Sequence, residues 1–255
     1  MTEVKAKKYL GQHFLTDESI AQKIVDSLSP DTRQVLEIGP GMGVLTKYLI
    51  TRFNTDLHVV EIDQESVAYL QSHYPTLDII SGDFLKLNPN DLFHERYAII
   101  GNFPYNISSQ ILFKVFDFRN NVNEVVGMFQ KEVAERVAAG PGSKTYGILS
   151  VLLSAFYNIE YLFTVNENVF NPPPKVKSAV IRLSRNDVDK LECDEMLFVK
   201  VVKAGFNQRR KTLRNALRSA GLNIERVSEQ TLVKRAEQLS TKEFINLTKV
   251  IQSCQ

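Results

Sequence analysis

The sequence predicts an α/β fold in which helices cover both faces of a seven-stranded mixed sheet, followed by a small all-α domain. Residues 1–185 alternate short β-branched runs with helical patterns, and strand patterns stop after about Asp187. Strands that alternate with helices indicate a parallel sheet. A Pro-rich loop between the last two strand patterns indicates a hairpin, which makes the sheet mixed. A chain of 255 residues is long enough for one large and one small domain.

The first domain, residues 1–185, is predicted to begin with a helix over 17–28. Its apolar residues recur with helical spacing, and Thr16 is the expected N-cap. Further helices are predicted at about 43–52, 64–73 and 146–156. The parallel strands are predicted at 34–39, 57–63, 78–83, 97–102 and 124–129.

Two late strands, at 158–165 and 177–184, complete the predicted sheet. The loop between them contains the segment FNPPPK at 170–175. Its three consecutive prolines cannot donate hydrogen bonds to a central ladder, so they are assigned to the loop.

The second domain, residues 186–255, is predicted to be helical throughout. Gly221 suits a position just past a helix end, and Ser240 with Glu243 suits a capping box. The predicted helices lie near 194–204, 209–220, 225–237 and 241–253.

The composition excludes several classes of protein. With 44% hydrophobic and 24% charged residues, the chain is close to the globular average and is neither fully disordered nor collagen-like. It has no apolar run of about 18 residues, and the N-terminus lacks the apolar stretch of a secretory signal. Cys193 and Cys254 are far apart, so neither a disulfide framework nor a zinc site is expected. We expect a cytoplasmic protein with no membrane contact and no metal.

A basic stretch in the second domain suits a polyanionic partner. No acidic residue lies between Glu195 and Glu225. Uncompensated positive charge attracts phosphates, although a solvated helix face is the alternative. At helical spacing, one face of a helix would carry Arg210, Arg214 and Arg218. The candidates for contact with a polyanion are Arg209, Arg210, Lys211, Arg214 and Arg218.

Three successive predicted strands end in residues that suit a nucleoside ligand. The first is followed by the glycine-rich segment Gly39-Pro40-Gly41-Met42-Gly43, which allows close approach of the backbone to a ligand. Glu61 ends the second strand. Its spacing along the sequence from the glycines is the one at which a carboxylate accepts hydrogen bonds from ribose hydroxyls. Asp63 competes for that role, but capping of the next helix suits it better. Asp83, after the third strand, suits an adenine amine or a helix N-cap. The set fits S-adenosylmethionine as well as a dinucleotide, and a tight turn without a ligand is the remaining alternative.

The fourth strand ends in Asn102-Phe103-Pro104-Tyr105, an Asn-x-Pro-aromatic pattern. The exocyclic amine of adenine is a poor nucleophile because the ring delocalises its lone pair. Two oxygen acceptors, the Asn102 side chain and a nearby main-chain carbonyl, would favour a pyramidal nitrogen. Pro104 supports a rigid turn, and Tyr105 offers a ring on which an extruded base can stack. An ordinary turn is the alternative.

Over essentially its full length, the chain resembles the KsgA-type ribosomal RNA adenine dimethyltransferases. The matching segments are KKYLGQHFL at 7–15, EIGPGMG at 37–43, VVEID at 59–63, SGDF at 81–84, GNFPYNIS at 101–108, FQKEVAERVAAGPGSKTYGILSV at 129–151, FNPPPKVKSAVIRL at 170–183 and FNQRRKTLRNAL at 206–217.

The resemblance implies a class I Rossmann-like methyltransferase with S-adenosylmethionine as cofactor. It implies dimethylation of two adjacent adenines near the 3′ end of small-subunit (16S) ribosomal RNA, with a helical domain that recognises RNA, and we expect a monomer. The implied catalytic residues are Asn102, Pro104, Tyr105 and Phe170, with Tyr105 and Phe170 on either side of the target base. The implied cofactor-binding residues are His13, Leu15, Gly39, Gly41, Glu61, Asp83 and Asn102.

One departure and three rival functions accompany the resemblance. The family usually has Asn where this chain has His13. An Erm-type methyltransferase of large-subunit RNA would share the whole site. A mainly non-catalytic ribosome-assembly checkpoint factor would keep the RNA-binding surface. A nicotinamide oxidoreductase fits least, because the third glycine is misplaced for the G-x-G-x-x-G pattern.

Overall fold

The strands and helices of the computed structural model, which describes residues 4–254, follow the alternation seen in the sequence. The strands are Phe14–Leu15 (β1), Val35–Ile38 (β2), Leu57–Glu61 (β3), Asp78–Ser81 (β4), Tyr97–Asn102 (β5), Val122–Gln130 (β6), Tyr157–Val165 (β7), Phe170–Asn171 (β8) and Ser178–Arg185 (β9). The helices are Glu18–Asp26 (α1), Thr46–Phe53 (α2), Gln64–His73 (α3), Ser108–Asp117 (α4), Lys131–Val137 (α5), Ile148–Ser154 (α6), Glu195–Asn207 (α7), Leu213–Ser219 (α8), Glu229–Leu232 (α9) and Thr241–Gln252 (α10).

Seven strands form the main sheet, in the order β4-β3-β2-β5-β6-β9-β7. The pairs from β4 to β6 are parallel, and β9 pairs antiparallel with β6, which confirms the predicted mixed sheet. The chain runs outward from β2 through β3 to β4 and then returns to place β5 on the other side of β2. The strand order therefore reverses between β2 and β5. In such sheets ligands bind beyond the carboxyl ends of the strands at this reversal.

Apolar strands bury both faces of the sheet centre, as parallel strands covered by helices require. All four residues of β2 are buried, as are the first five of β5. One buried cluster joins residues of α1 and α2 to the strands, including Ile24, Leu49, Val59 and Val126. The rigid centre holds the strand ends, and hence the residues that follow them, in fixed positions.

A two-stranded sheet that the sequence did not predict lies beside the main one. In it β1 pairs antiparallel with β8, and Leu15 faces Phe170 in the register. The segment assigned to a loop at 170–175 thus begins with a short strand. Both residues are buried in the main apolar cluster.

The helix predicted over 17–28 forms with one correction. Asp17, not Thr16, is the N-cap of α1, and its carboxylate accepts from the backbone N–H groups of Ser19 and Ile20. Thr16 instead donates its hydroxyl to the Val169 carbonyl. A carboxylate is an effective N-cap because it accepts the free N–H groups of the first turn.

Backbone contacts divide the chain into two compact units. The first contains the described residues up to Ala134 together with Glu160–Arg185, and the second contains Glu135–Ile159 with the residues from Asn186 onward. The sequence-based division placed 135–159 in the first domain, whereas these residues cluster with the C-terminal helices. The predicted domains also include residues 1–3 and 255, which lie outside the described residues.

The second unit is helical apart from residues 157–159, which begin β7, and two of its predicted helices are shorter than expected. The helix predicted over 209–220 begins only at Leu213, because a turn follows α7. The helix predicted over 225–237 shrinks to α9 and a separate 3₁₀ turn. Gly221 has the positive φ of a helix-ending glycine, and the capping box of Ser240 with Glu243 is present.

Candidate active site

A pocket opens at the carboxyl ends of β2, β3 and β5, where the strand order reverses, and beside the segment that follows β4. Its lining comes entirely from the first unit. The lining segments are residues 10–14, 38–39 with 41, 60–62, 82–85 and 102–107. Eight of the ten residues predicted to bind cofactor or act in catalysis lie here: His13, Gly39, Gly41, Glu61, Asp83, Asn102, Pro104 and Tyr105.

The glycine-rich turn after β2 forms one wall of the pocket. Gly39 and Gly41 have φ values of 68° and 58°, which residues other than glycine rarely adopt. A Cβ on Gly41 would lie 2.8 Å from Cε1 of Phe14. Glycine is therefore required at Gly41 both by conformation and by the closeness of Phe14.

Glu61, at the end of β3, faces the glycine turn. Its Oε2 accepts from the Gly41 N–H at 3.0 Å, and its Oε1 accepts from the Asp63 N–H at 2.8 Å. Burial raises the pKa of the Glu61 carboxyl, and the two N–H donors oppose that rise. Each carboxylate oxygen keeps capacity for a second donor, so the group suits a diol such as a ribose.

Asp63 caps α3, as expected, and also holds the N-terminal segment. Its carboxylate accepts from the Glu65 N–H at 3.2 Å, from the Lys7 ammonium and from Nε2 of Gln12 at 3.2 Å. We call residues 7–13 the strap. Lys7 and Gln12 were not predicted as site residues, and their only signal was their place in the matching segment KKYLGQHFL.

Asp83 and Ile62 complete the cofactor side of the pocket. Asp83 Oδ1 accepts from the Leu85 N–H at 2.9 Å, so the carboxylate also caps the following turn. Ile62 lines the pocket and is 48% exposed, which gives a flat ligand an apolar surface. Ile62 was not predicted as a site residue, although an apolar residue between Glu61 and Asp63 at a strand end was a usable signal.

Asn102 ends β5 and points its amide nitrogen at the strap. Its Nδ2 donates to the main-chain oxygen of His13 at 2.8 Å. Within the described part of the chain, no hydrogen bond is made to Oδ1 of Asn102. The side-chain oxygen is thus the acceptor that remains for a ligand.

Phe103 anchors the turn that follows. It is buried and meets Phe129 edge-on, with ring centroids 5.0 Å apart. Gly101 and Gly127 are register partners in β5 and β6. A Cβ on Gly127 would lie 2.2 Å from Phe103 Cε2, and a Cβ on Gly101 would lie 2.8 Å from Phe103 Cε1. The two glycines therefore form a seat for the Phe103 ring.

Tyr105 lies beyond Pro104 with one ring face towards His13. The two rings are stacked with centroids 5.3 Å apart, and the Tyr105 hydroxyl shares a 2.5 Å hydrogen bond with Ser178 Oγ. Burial raises the pKa of the Tyr105 hydroxyl. His13 Nδ1 lies 2.7 Å from the Pro172 oxygen, so it donates to that carbonyl. A base between two rings needs about 7 Å, so the His13 side chain has to move for a base to stack on this face.

Two predicted site residues, Leu15 and Phe170, do not line the pocket. Leu15 and Phe170 are both 4% exposed and belong to the apolar cluster of the first unit. Their pairing in the β1–β8 sheet turns both side chains inward. Phe170 therefore lies in the core, and the ring opposite Tyr105 is that of His13.

In the second unit, the five predicted RNA-binding cations divide into two groups. Arg209 donates to Glu237 at 2.9 Å, and Arg214 pairs with Glu229. Arg210, Lys211 and Arg218 are exposed and have no ion pair among the described residues. Because Arg210 precedes α8, the predicted face of three arginines is reduced to two.

Beneath the pocket, Glu37 is a fully buried acid on β2. Thr46 Oγ1 donates to its Oε2 at 2.6 Å, and burial raises its pKa to about 8. A carboxyl whose pKa is higher in the folded state than in the unfolded state stabilises the fold most at a pH below its pKa in the unfolded state. That stabilisation is lost as pH rises through about 8.

Replacing Glu37 with glutamine should flatten the dependence of stability on pH. The amide keeps an acceptor for Thr46 but cannot ionise. We expect the wild-type protein to lose about 4 kcal/mol of unfolding free energy between about pH 5 and 9, and Glu37→Gln to lose less than half of that. Urea unfolding across this range measures it, with the exposed Glu167→Gln as the control. Parallel curves for wild type and Glu37→Gln would contradict the assignment.

Residues 4–254 contain neither a cluster of metal-ligating side chains nor a helix that could span a membrane. No group of three or more His, Cys, Asp or Glu side chains in this range has the arrangement of a metal site. None of its helices combines the length and hydropathy of a bilayer-spanning segment.

Comparison with known proteins places the chain among ribosomal RNA methyltransferases. The model of the family described as "Ribosomal RNA adenine dimethylase" matches residues 3–253. "Ribosomal RNA small subunit methyltransferase A" of Cytophaga hutchinsonii is 61% identical, with 98% of this chain and 99% of that protein covered. The protein of the same name from Flavobacterium johnsoniae is 58% identical, with 99% and 98% covered.

Two solved structures share the architecture over nearly the whole chain. A dimethyladenosine transferase from Plasmodium falciparum has a TM-score of 0.75 at 25% identity and covers 92% of this chain and 96% of its own. The 23S rRNA methyltransferase ErmE has a TM-score of 0.68 at 25% identity, with 92% and 99% covered.

Proposed function

The chain belongs to the ribosomal RNA adenine dimethylase family, and from this premise we propose that it dimethylates N6 of two adjacent adenines near the 3′ end of small-subunit ribosomal RNA. The enzyme is an S-adenosylmethionine-dependent RNA adenine dimethyltransferase. The observation that carries the specific reaction is the Asn102–Tyr105 turn at the pocket, with Oδ1 of Asn102 left as an acceptor.

The pocket residues fit S-adenosylmethionine. Glu61 offers carboxylate oxygens to the ribose hydroxyls, and Asp83 offers one to the adenine amine. The turn at Gly39 and Gly41 lets the backbone approach the methionine part closely. When bound, the cofactor supplies an electrophilic methyl group on a sulfonium. Ile62 adds an apolar contact for the adenine ring.

Asn102 prepares the target amine for methyl transfer. Its Oδ1 and a nearby main-chain carbonyl accept the two amine hydrogens, which favours a pyramidal nitrogen whose lone pair is free. Tyr105 supplies the ring on which the base stacks once the His13 side chain has moved aside. No strong base is required, because the rate enhancement comes from positioning and from exclusion of water.

The exposed cations of the second unit suit the phosphates of a structured RNA. Arg210, Lys211 and Arg218 have no acidic partner among the described residues, whereas Arg209 and Arg214 are ion-paired. Structured RNA is recognised largely by shape and backbone contacts. We therefore assign subunit recognition mainly to the three unpaired cations.

Replacing Arg210 and Arg218 with glutamine should weaken binding to the small subunit and reduce its dependence on salt. Each phosphate that the protein no longer neutralises lowers the slope of log K against log salt by roughly 0.7–0.9. Filter binding between about 50 and 200 mM salt measures the slope, and calorimetry should show unchanged cofactor affinity. Lys190→Gln is the control. Lys190 is also exposed, but it lies next to Asp189 in the sequence and outside the stretch that lacks acidic residues. An unchanged slope in the double variant would mean that this face is only solvated.

The decisive experiment for the substrate compares the two ribosomal subunits. The protein is incubated with labelled cofactor and, separately, with undermethylated small and large subunits, and the modified base is mapped. Two dimethylated adenines near the 3′ end of the small-subunit RNA are expected. Modification of the large subunit instead would indicate an Erm-type enzyme, and tight binding without modification would indicate a checkpoint factor. A monomeric state, a cytoplasmic location and a metal-free reaction stay predictions.

A further inference from the structure

The strap is held to the end of β3 by a buried carboxylate. The Asp63 side chain is only 1% exposed and contacts the Lys7 ammonium, which also lies 3.2 Å from Glu65. Gln12 Nε2 donates to the other Asp63 oxygen at 3.2 Å. Within the strap, the Lys7 N–H donates to Gln12 Oε1 at 2.7 Å. Lys7 and Gln12 thus brace each other and share one anchor.

The other end of the strap is held to the end of β5. The His13 carbonyl accepts from Asn102 Nδ2 at 2.8 Å, and Asn106 Nδ2 donates to the Tyr9 carbonyl at 3.4 Å. A Cβ on Gly11 would lie 2.8 Å from Asn106 Oδ1, so the strap backbone runs directly against this turn. The strap therefore connects the residues that follow β3 with those that follow β5.

The contact with His13 decides which way round the Asn102 amide lies. A primary amide carries two donors on nitrogen and acceptors on oxygen, and a 180° flip exchanges them. A main-chain carbonyl oxygen is only an acceptor, so it can pair with the amide nitrogen of Asn102 but not with the amide oxygen. As long as the His13 carbonyl is in place, Nδ2 faces the strap and Oδ1 is left to accept from the target amine.

We propose that Lys7 and Gln12 are positioning residues for the methyl transfer, acting through the His13 carbonyl on the orientation of Asn102. The inference rests on the proposed function of Asn102. The anchor is linked to the cofactor residues as well, because the Asp63 N–H donates to Glu61 at 2.8 Å. The turn that places the ribose-binding carboxylate thus also places the anchor of the strap.

Lys7→Met and Gln12→Ala test this proposal, with Lys8→Met as the matched control. Lys8 is the exposed neighbour of Lys7, and it has no ion pair among the described residues. Each change is made in the wild-type background and in Asn102→Ala. Single-turnover methylation of undermethylated small subunits at saturating cofactor is measured, together with hydrogen exchange of the strap amides without cofactor.

Lys7→Met and Gln12→Ala are expected to slow single-turnover methylation about 10-fold in the wild-type background and less than 2-fold in Asn102→Ala. Such non-additivity is what two residues acting through one interaction produce. Exchange of the strap amides should accelerate at least about 5-fold in both variants. Lys8→Met should change neither quantity by more than about 2-fold.

Two outcomes would overturn the proposal. Equal losses of rate in both backgrounds would show that the strap does not act through Asn102. Faster exchange with an unchanged rate would show that the strap is irrelevant to the reaction. In both cases a wild-type enzyme that still methylates the small subunit leaves the proposed function intact. A wild-type enzyme that modifies neither subunit would refute that function, and this inference with it.

Discussion

Replacing Asn102 with alanine is expected to lower kcat by about 100-fold or more, while the affinity for the small subunit stays within about 2-fold. In the proposed reaction, the Asn102 oxygen accepts from an amine whose hydrogens become better donors as the new N–C bond forms, so its interaction is strongest in the transition state. Removal of one positioned polar group of this kind typically costs a factor of about 100–1,000 in kcat. Alanine also removes the 2.8 Å contact with the His13 carbonyl, which frees the strap at that end.

The measurement is a steady-state comparison of kcat and KM for undermethylated small subunits, supported by direct binding of the subunit. Asn90→Ala is the matched control, because Asn90 is an exposed asparagine outside the pocket lining. A rise in KM with an unchanged kcat would indicate that Asn102 contributes only to binding. Turnover within about 3-fold of wild type would remove Asn102 from the reaction.

Replacing Glu61 with glutamine is expected to weaken cofactor binding by roughly 10- to 100-fold, because hydrogen bonds to a charged group contribute about 1.5–3 kcal/mol each. Glutamine keeps the shape of the side chain but replaces one acceptor oxygen with a donor. Both oxygens of Glu61 already accept backbone N–H groups, from Gly41 and Asp63. The new NH₂ must therefore face one of these N–H groups, which disturbs the glycine turn or the anchor of the strap.

Calorimetric titration with S-adenosylmethionine measures the effect, and binding of the subunit without cofactor should be unchanged. Because burial raises the pKa of Glu61, cofactor affinity in the wild type should fall as the solution is acidified through that raised value. Glu61→Gln should remove this part of the pH dependence. Glu95→Gln, an exposed surface change, is the control. Wild-type affinity in Glu61→Gln would place the ribose elsewhere.

The architecture could be predicted because its signals are local and repeated. Each parallel strand is a short apolar run that ends in a turn, and buried parallel strands have this pattern whatever their neighbours are. The residues that follow those strands meet at one edge of the sheet, so Glu61, Asp83 and Asn102 could be grouped without coordinates. The mixed sheet followed from two late strand patterns joined by a short loop that contains the three prolines.

The parts that could not be predicted depend on contacts between distant segments. The pairing of β1 with β8 joins residues far apart in the chain, and it turns Leu15 and Phe170 into the core. No periodicity signals a strand of two residues. The ion pairs of Arg209 and Arg214 with acids of later segments likewise depend on tertiary placement, which a local charge count cannot detect.

The glycine seat beneath Phe103 bears on how such a catalytic loop could be transplanted into another protein. The four letters Asn-Phe-Pro-Tyr are contiguous, but the ring that anchors them rests on Gly101 of the same strand and Gly127 of the neighbouring one. An alanine at Gly127 would bring its Cβ to 2.2 Å from that ring. A loop grafted alone would therefore carry Asn102 and Tyr105 without the two glycines against which the Phe103 ring packs. The smallest portable unit spans two adjacent strands, and a search for unrecognised enzymes of this type gains discrimination by requiring both glycines.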